Sequence, residues 1–179
     1  MPPAARPIAR APEPGERSPA LPGAAAPDSP RVIAFLRHTG CPFAERTLRE
    51  ARDRAEAEPD VRFFAVSHAP ERATDAWAEA VGGRGEVEIL IDEERFLYAA
   101  WGLGRSSLGH FMGGRSLRAV GALARRGIRN RHADGTRLQA AGTFALDASG
   151  TVRWRHLPEH AGDEPDLAEA AKAARLPAT

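Results

Sequence analysis

Three short apolar runs, each followed by a helical pattern, place the strongest constraint on the fold of this chain. The runs lie at residues 32–36, 61–67 and 87–91. Each has the length of a strand that is covered on both faces. Apolar residues at helical spacing follow the first run at Ala44, Leu48, Ala51 and Ala55. Strands that alternate with helices in this way are typical of an α/β protein with parallel strands.

The later part of the chain continues this pattern and then changes it. Further helices are predicted at residues 70–81, 92–101 and 165–174, the second with Asp92 as its N-cap. Strands at residues 143–146 and 151–157 flank an Asp-Ala-Ser-Gly turn, which is typical of antiparallel pairing. The sequence therefore predicts a mixed central sheet with helices on both faces.

One domain is expected, and it spans residues 31–176. Residues 1–30 are mostly proline, alanine and small polar residues, which cannot bury enough surface to offset the entropy lost on ordering. We therefore predict a disordered leader. Residues at about 102–138 are rich in glycine and arginine and are predicted to be an insertion before the hairpin, with a helical stretch at 117–124.

Charge and composition narrow the class of protein further. The chain has 25 Lys and Arg against 24 Asp and Glu, so its net charge of +1 indicates neither nucleic acid nor a membrane as partner. No apolar stretch approaches the roughly 18–20 residues of a membrane span. The N-terminus lacks the apolar segment of a secretory signal and there is a single cysteine, so we expect a cytoplasmic protein.

The single cysteine, Cys41, lies in Arg-His-Thr-Gly-Cys-Pro-Phe-Ala, where the first predicted strand meets the first helix. Pro42 suits a first helical turn, which places Cys41 at the helix N-terminus. Unpaired N–H groups and the helix dipole favour a thiolate there. Arg37 could add a fixed positive charge, and His38 a cation, a hydrogen-bond donor or a proton shuttle. The alternative is a buried cysteine that serves as a small apolar residue.

Four blocks of this sequence resemble the peroxiredoxin-like relatives in the AhpC/TSA group, which have a thioredoxin-like fold. They are V-I-A-F-L-R-H-T-G-C-P-F-A-E, F-F-A-V-S-H-A-P-E, I-D-E-E-R-F-L-Y-A-A-W-G-L-G and G-T-F-A-L-D-A-S-G-T-V-R-W. The resemblance extends from about residue 31 to the C-terminal helix. It implies a thiol-dependent antioxidant oxidoreductase that acts on hydrogen peroxide, organic peroxides or disulfides.

Within this resemblance Cys41 is the attacking thiolate, and we predict His38 as the second catalytic residue. The predicted supporting residues are Arg37, Thr39, Gly40, Pro42, Glu45 and Thr143. Glu45 follows Cys41 by one helical turn, where it would orient Arg37 or His38 or else be a solvated carboxylate. Thr143 lies in the region that approaches the sulfur in thioredoxin folds, and its alternative is an ordinary strand threonine.

Two departures from the family pattern shape the predicted chemistry. Ala44 stands where thioredoxin-type exchange uses a second cysteine, so oxidised Cys41 needs an external reductant, either a small thiol or a thioredoxin-type protein. A disulfide between two copies of Cys41 would require their sites to meet, so a homodimer stays open. His38 stands where typical peroxiredoxins carry threonine, which leaves Thr39, Gln139 or an arginine of the insertion to supply hydrogen bonds to a peroxide.

The histidines do not indicate a metal site. Four of them, His110, His132, His156 and His160, show no metal-ligand spacing, so neither a metal nor another cofactor is predicted. His68 follows the second strand and points toward the sheet edge where α/β proteins bind ligands. Its alternative is an exposed or helix-capping side chain.

Two other functions fit the same residues. The first is a thioredoxin-fold binding or regulatory module without catalysis, whose cysteine would keep an ordinary thiol pKa of about 8.5. The second is a peroxide sensor that is oxidised once and passes the oxidation to a partner protein. A mixed disulfide with that partner would distinguish the sensor.

Overall fold

A computed structural model describes residues 7–22, 28–105, 125, 127–128, 138–160 and 162–177. Its five strands are β1 (Arg31–Phe35), β2 (Arg62–Ser67), β3 (Glu88–Ile91), β4 (Gly142–Leu146) and β5 (Val152–His156). Its four named helices are α1 (Pro42–Ala57), α2 (Glu71–Ala80), α3 (Phe96–Ala100) and α4 (Leu167–Ala174). Every strand predicted from the sequence is present, with ends that differ by at most one residue.

The strands form one mixed sheet in the order β3-β2-β1-β4-β5. The central strand β1 runs parallel to β2, with Ile33 opposite Phe64, and antiparallel to β4, with Ala34 opposite Thr143. Strand β3 is parallel to β2, and β5 is antiparallel to β4. This arrangement confirms the predicted fold, with its parallel strands early in the chain and its antiparallel strands late.

Both faces of the sheet are covered by apolar residues. Successive side chains along β1 point to opposite sides, so neighbouring residues of this strand belong to different core clusters. Val32 belongs to a core cluster with Leu48 of α1, and α2 and α4 add further apolar residues to that side. Ile33 belongs to the cluster on the other face, together with Tyr98 and Trp101 at α3. The prediction of helices on both faces is therefore confirmed.

Helix α3 begins later than the sequence predicts. Its N-cap is Arg95, which has a left-handed backbone with φ of 58° and so ends the preceding turn. Asp92 still caps the helix from a distance, because its carboxylate accepts hydrogen bonds from the N–H groups of Phe96, Leu97 and Tyr98. The capping residue was thus identified correctly, although the first helical residue was not.

The N-terminal segment, residues 7–22, is packed on the domain, which corrects the expectation of disorder for this part of residues 1–30. Residues 7–22 lie along the outer edge of β5, where the Gly15 N–H donates to the Val152 carbonyl at 2.8 Å and the Val152 N–H to the Glu16 carbonyl at 2.9 Å. The physical reason is that an edge strand offers unpaired backbone groups, which any extended chain can satisfy without large side chains.

This N-terminal segment also contacts the end of α3. The Ala9 N–H donates to the Ala99 carbonyl at 2.9 Å, and Ala11 and Leu21 pack against the core cluster on that face. Gly102, with φ of 77°, lies so close that a Cβ atom there would be 2.3 Å from the Ala11 nitrogen. The segment is therefore part of the packed domain.

Most of the predicted insertion, including the helical stretch at 117–124, lies outside the described residues. At its base, the Gln139 side-chain amide donates to the carbonyls of Leu103 and Gly104, each at 3.0 Å. Gln139 is thus used to close the base of the insertion and not, as the sequence suggested, to bind a peroxide. Among the described helices, none has the length and apolar character that crossing a membrane requires.

Candidate active site

Cys41 lies at the carboxyl end of the central strand, at the N-cap of α1. The connecting turn needs Gly40, whose φ of 85° is unfavourable for other residues, and it closes through a 3.3 Å hydrogen bond from the Cys41 N–H to the His38 carbonyl. Pro42 occupies the first turn of the helix, as the sequence predicts. The junction of strand and helix therefore places the thiol at the positive end of the helix dipole.

The thiol itself is buried, with 4% of Cys41 exposed. Burial raises its pKa above the ordinary value, and the negative charge of Glu164 acts in the same direction. The backbone N–H groups of Ala44 and Phe43 and the guanidinium of Arg37 act to lower that pKa. In this arrangement the pKa of Cys41 is raised, because loss of hydration outweighs the effect of the helix terminus and Arg37.

Arg37 is the cation whose charge acts on the Cys41 thiol. Its own side chain is buried, with 4% of the residue exposed. Burial lowers its pKa and the charge of a Cys41 thiolate raises it, so the two groups stabilise each other when the thiol ionises. Because an arginine in a protein stays protonated at neutral pH, Arg37 supplies a permanent positive charge.

His38 and Thr39 lie in the turn that leads to Cys41, and both are buried. His38 Nδ1 is 2.8 Å from the Thr39 carbonyl, and since a carbonyl only accepts, Nδ1 carries the proton. Any proton exchange by His38 therefore involves its other nitrogen, Nε2. The Thr39 hydroxyl is buried without a hydrogen-bond partner in the part of the chain that the structure describes.

Glu45 is 1% exposed, so the solvated-carboxylate alternative is wrong. One of its oxygens accepts a hydrogen bond of 2.7 Å from Arg49 on the next turn of α1. Glu45 thus lies inside the domain on the same helix as Cys41. One ion pair of Glu45 is with Arg49, and a role of Glu45 in orienting Arg37 or His38 stays a prediction.

A small cleft with a volume of about 40 Å³ opens beside the turn. One wall carries Arg37 and Ala44, and Thr143, at the start of β4, lines it from the neighbouring strand. Glu164 forms the opposite side and is held there by an ion pair with Arg46 of α1. The structure therefore brings Thr143 and Arg37 to one cavity, whereas Cys41, His38 and Thr39 are not among the residues that line it.

Two buried side chains from distant parts of the sequence hold the backbone that enters the turn. His68 Nε2 lies 2.6 Å from the Arg37 carbonyl, and the Tyr98 hydroxyl lies 2.6 Å from the Leu36 carbonyl and 2.8 Å from the Val66 carbonyl. His68 is 4% exposed, so it is neither a surface residue nor a helix cap. The sequence did not single out Tyr98, although it is the only tyrosine and lies among apolar neighbours.

Within the described residues, no group of three or more His, Cys, Asp or Glu side chains is arranged to hold a metal ion.

A mixed sheet whose first helix begins at a lone cysteine places the chain among thioredoxin-like thiol proteins. Residues 47–160, more than half of the chain, match the family model of the AhpC/TSA antioxidant enzymes, and the chain belongs to that family. The matched range begins after Cys41, so membership depends on the body of the domain and not on the thiol. No curated protein matches the chain.

Several solved structures share this fold. A peroxiredoxin-like protein from Aquifex aeolicus has a TM-score of 0.66 and 16% identity, over 94% of this chain and 89% of its own. A thiol peroxidase from Chromobacterium violaceum has a TM-score of 0.63 and 13% identity, over 92% and 87%. Peroxidoxin BcpB from Mycobacterium tuberculosis has a TM-score of 0.54 and 20% identity, over 83% and 79%. These similarities confirm the predicted thioredoxin-like fold.

Proposed function

We propose that this protein is a one-cysteine, peroxiredoxin-like peroxidase that reduces hydrogen peroxide or small organic peroxides at the expense of an external thiol. The observation that carries the proposal is the placement of the chain's single thiol, Cys41, at a helix N-terminus with the Arg37 guanidinium beside it. Both groups stabilise a thiolate, which is the nucleophilic form of cysteine. Membership of the AhpC/TSA antioxidant family supports the same chemistry.

In the first half of the reaction the Cys41 thiolate attacks one peroxide oxygen. A sulfur–oxygen bond forms, the oxygen–oxygen bond breaks, and Cys41 becomes a sulfenic acid while the leaving oxygen takes a proton as water or an alcohol. Arg37 stabilises the negative charge on the oxygens, and the buried Thr39 hydroxyl is a donor for a bound peroxide. His38 lies on the same turn, and with its ring proton on Nδ1 its Nε2 would take the proton from the Cys41 thiol and pass it to the leaving oxygen.

In the second half the sulfenic acid is reduced by thiols from outside the chain. One thiol attacks the oxidised sulfur, which releases water and leaves a mixed disulfide with Cys41. A second thiol then cleaves this mixed disulfide, which restores Cys41 and releases the disulfide of the two external thiols. Two external thiols are thus oxidised to one disulfide per peroxide. A cytoplasmic location, where reduced thiols are abundant, belongs to the same proposal.

The size of the cleft bears on the substrate. Its volume of about 40 Å³ accommodates about three water-sized groups. Cys41 does not itself line this cleft, so a peroxide that approaches the thiol from the side of Arg37 must be small, which favours hydrogen peroxide or a short-chain hydroperoxide.

A serine at position 41 tests the proposal directly. Cys41→Ser removes the nucleophile while changing one buried atom, so peroxide consumption should fall to the rate without protein. The measurement is consumption of hydrogen peroxide with a small thiol as reductant, together with trapping of sulfenic acid. Wild-type protein blocked with iodoacetamide should behave like the variant. Turnover that persists in Cys41→Ser would overturn the proposal.

The burial of Cys41 favours a second candidate, a thioredoxin-fold binding or regulatory module. A raised thiol pKa and 4% exposure keep the sulfur protonated and hard to reach in this arrangement. The same peroxide assay separates the two candidates, since a binding module would show slow sulfenic acid formation that increases only at alkaline pH.

A further inference from the structure

The carbonyl of Arg37 is held by a hydrogen bond from His68, the residue that follows β2. His68 Nε2 is 2.6 Å from the Arg37 carbonyl, and because that carbonyl only accepts, Nε2 must carry the ring proton. The ring is also fixed by an edge-to-face contact with Tyr98, with centroids 5.8 Å apart. His68 therefore has one orientation and one tautomer at the start of the turn.

The second ring nitrogen has no such partner. Nδ1 of His68 is buried and makes no hydrogen bond to any of the described residues. In the neutral ring this nitrogen is an acceptor, and leaving it unpaired is tolerable. In the charged ring it would be a buried N–H without an acceptor, which is far less favourable.

We propose that His68 is a positioning residue for Cys41, whose neutral imidazole holds the Arg37 carbonyl and thereby sets the distance between the Arg37 guanidinium and the thiol. This inference rests on the proposed role of Cys41 as a reactive thiol. Loss of the hydrogen bond would release the turn, so Arg37 would stabilise the thiolate less well.

The surroundings of His68 make this contact sensitive to acid. Burial is the main reason that its pKa is lowered, and the positive charge of Arg95 adds to the effect. The hydrogen bond to the Arg37 carbonyl, the backbone of His68 itself and the charge of Asp92 act in the opposite direction, and burial outweighs them. His68 is therefore neutral at pH 7. Its protonation at acid pH would disrupt the packing that holds its ring against the Arg37 carbonyl.

Two carboxamide variants separate the hydrogen bond from simple packing. His68→Gln places an amide N–H about as far from the backbone as imidazole Nε2, whereas His68→Asn ends one methylene short and cannot reach the carbonyl. The readout is the rate of Cys41 alkylation by iodoacetamide between about pH 5 and pH 9, a range that brackets ordinary imidazole and thiol pKa values. His160→Asn, at a half-buried site beyond β5, is the control.

At neutral pH we expect His68→Asn to react about tenfold more slowly than wild type, and His68→Gln to stay within about twofold. In acid, the logarithm of the wild-type rate should fall more steeply with pH than for a single titrating thiol, and His68→Gln should lack this extra fall. Equal rates in all three proteins, or equal losses in both variants, would overturn the inference. If His68→Asn does not fold, the test is the comparison of alkylation rates at acid pH between wild type and His68→Gln.

This test does not depend on peroxide chemistry, because iodoacetamide reports on the thiol alone. A protein that shows the expected alkylation pattern but does not consume peroxide would refute the proposed peroxidase and leave the role of His68 supported. A protein that consumes peroxide at the same rate with either carboxamide would refute the role of His68 only.

Discussion

At the scale of single residues, Cys41 is subject to two opposing effects. The helix N-terminus and Arg37 favour its charged form, while burial favours the neutral thiol and prevails in this arrangement. The charge of Glu164, held on the far side of the cleft by Arg46, adds to the effect of burial. The reactivity of the thiol therefore depends on an acidic neighbour that lies far from it in the sequence.

Removal of that acidic charge should make the thiol more reactive. Glu164→Gln eliminates the negative group and leaves the Arg46 cation nearby, so the pKa of Cys41 should fall and alkylation at neutral pH should become about threefold faster. The measurement is the pH dependence of iodoacetamide reaction. Glu56→Gln, an exposed position on α1, is the matched control and should react like wild type. A slower reaction in Glu164→Gln would contradict the assigned effect of its charge.

At the scale of elements, the N-terminal segment pairs with the edge strand β5 of the sheet. The β5 edge is paired to it through Gly15 and Glu16, and the Ser18 N–H donates to the Gly150 carbonyl at 3.0 Å. These bonds satisfy backbone groups that would otherwise be open to pairing with another chain. The segment is thus expected to contribute stability and to protect the edge.

Deletion of residues 1–22 should therefore destabilise the domain. The lost backbone hydrogen bonds and apolar contacts, less the entropy regained by the segment, correspond to about 2–3 kcal/mol. Thermal unfolding should show a midpoint about 5–10 °C lower. Deletion of residues 1–6 alone retains every contact described above and is the control. An unchanged midpoint after the longer deletion would mean that the segment contributes no net stability.

Alanine substitutions at two glycines test the contact between the N-terminal segment and the end of α3. Gly102 and Gly83 both have positive φ, but a Cβ at Gly83 meets nothing within 4 Å, whereas at Gly102 it meets the Ala11 backbone. Each alanine substitution should cost about 1–2 kcal/mol for its backbone conformation, and Gly102→Ala should cost at least about 1 kcal/mol more. In a chain without residues 1–22 that excess should disappear in urea unfolding, and its persistence would argue against the contact.

At the scale of the whole molecule, the buried imidazole of His68 links stability to pH. Its pKa is lowered in the folded state, so its contribution is fully present above the unfolded value of about 6.5 and is lost as pH falls through the folded pKa. The free energy of unfolding in urea should be lower at about pH 5 than at about pH 7.

The variant His68→Gln should show a smaller difference between these two pH values, and His160→Gln should not. The carboxylates with lowered pKa values, such as Asp147 and Glu58, contribute stability that is lost at more acidic pH, so they do not confound this window. An equal pH dependence in wild type and His68→Gln would show that another group is responsible.

The order of elements could be predicted because it follows from local patterns. Runs of strand length, the helical spacing after Cys41, and the turn around Gly150 each depend on residues that are close in sequence. The start of α3 was predicted less well, since the left-handed backbone at Arg95 has no strong sequence signal. The disorder predicted for the N-terminal segment failed because composition reports on side chains, while this segment is held largely by its backbone.

The sequence by itself determined the order of strands and helices, the family resemblance, and the position of the thiol at a helix N-terminus, all of which are local properties. Only the tertiary structure decided how deeply Cys41 is buried and which groups surround it. The contacts that hold its turn join His68 to Arg37 across 31 residues and Tyr98 to Leu36 across 62 residues. Such contacts arise when the sheet assembles, and no pattern of neighbouring residues specifies them.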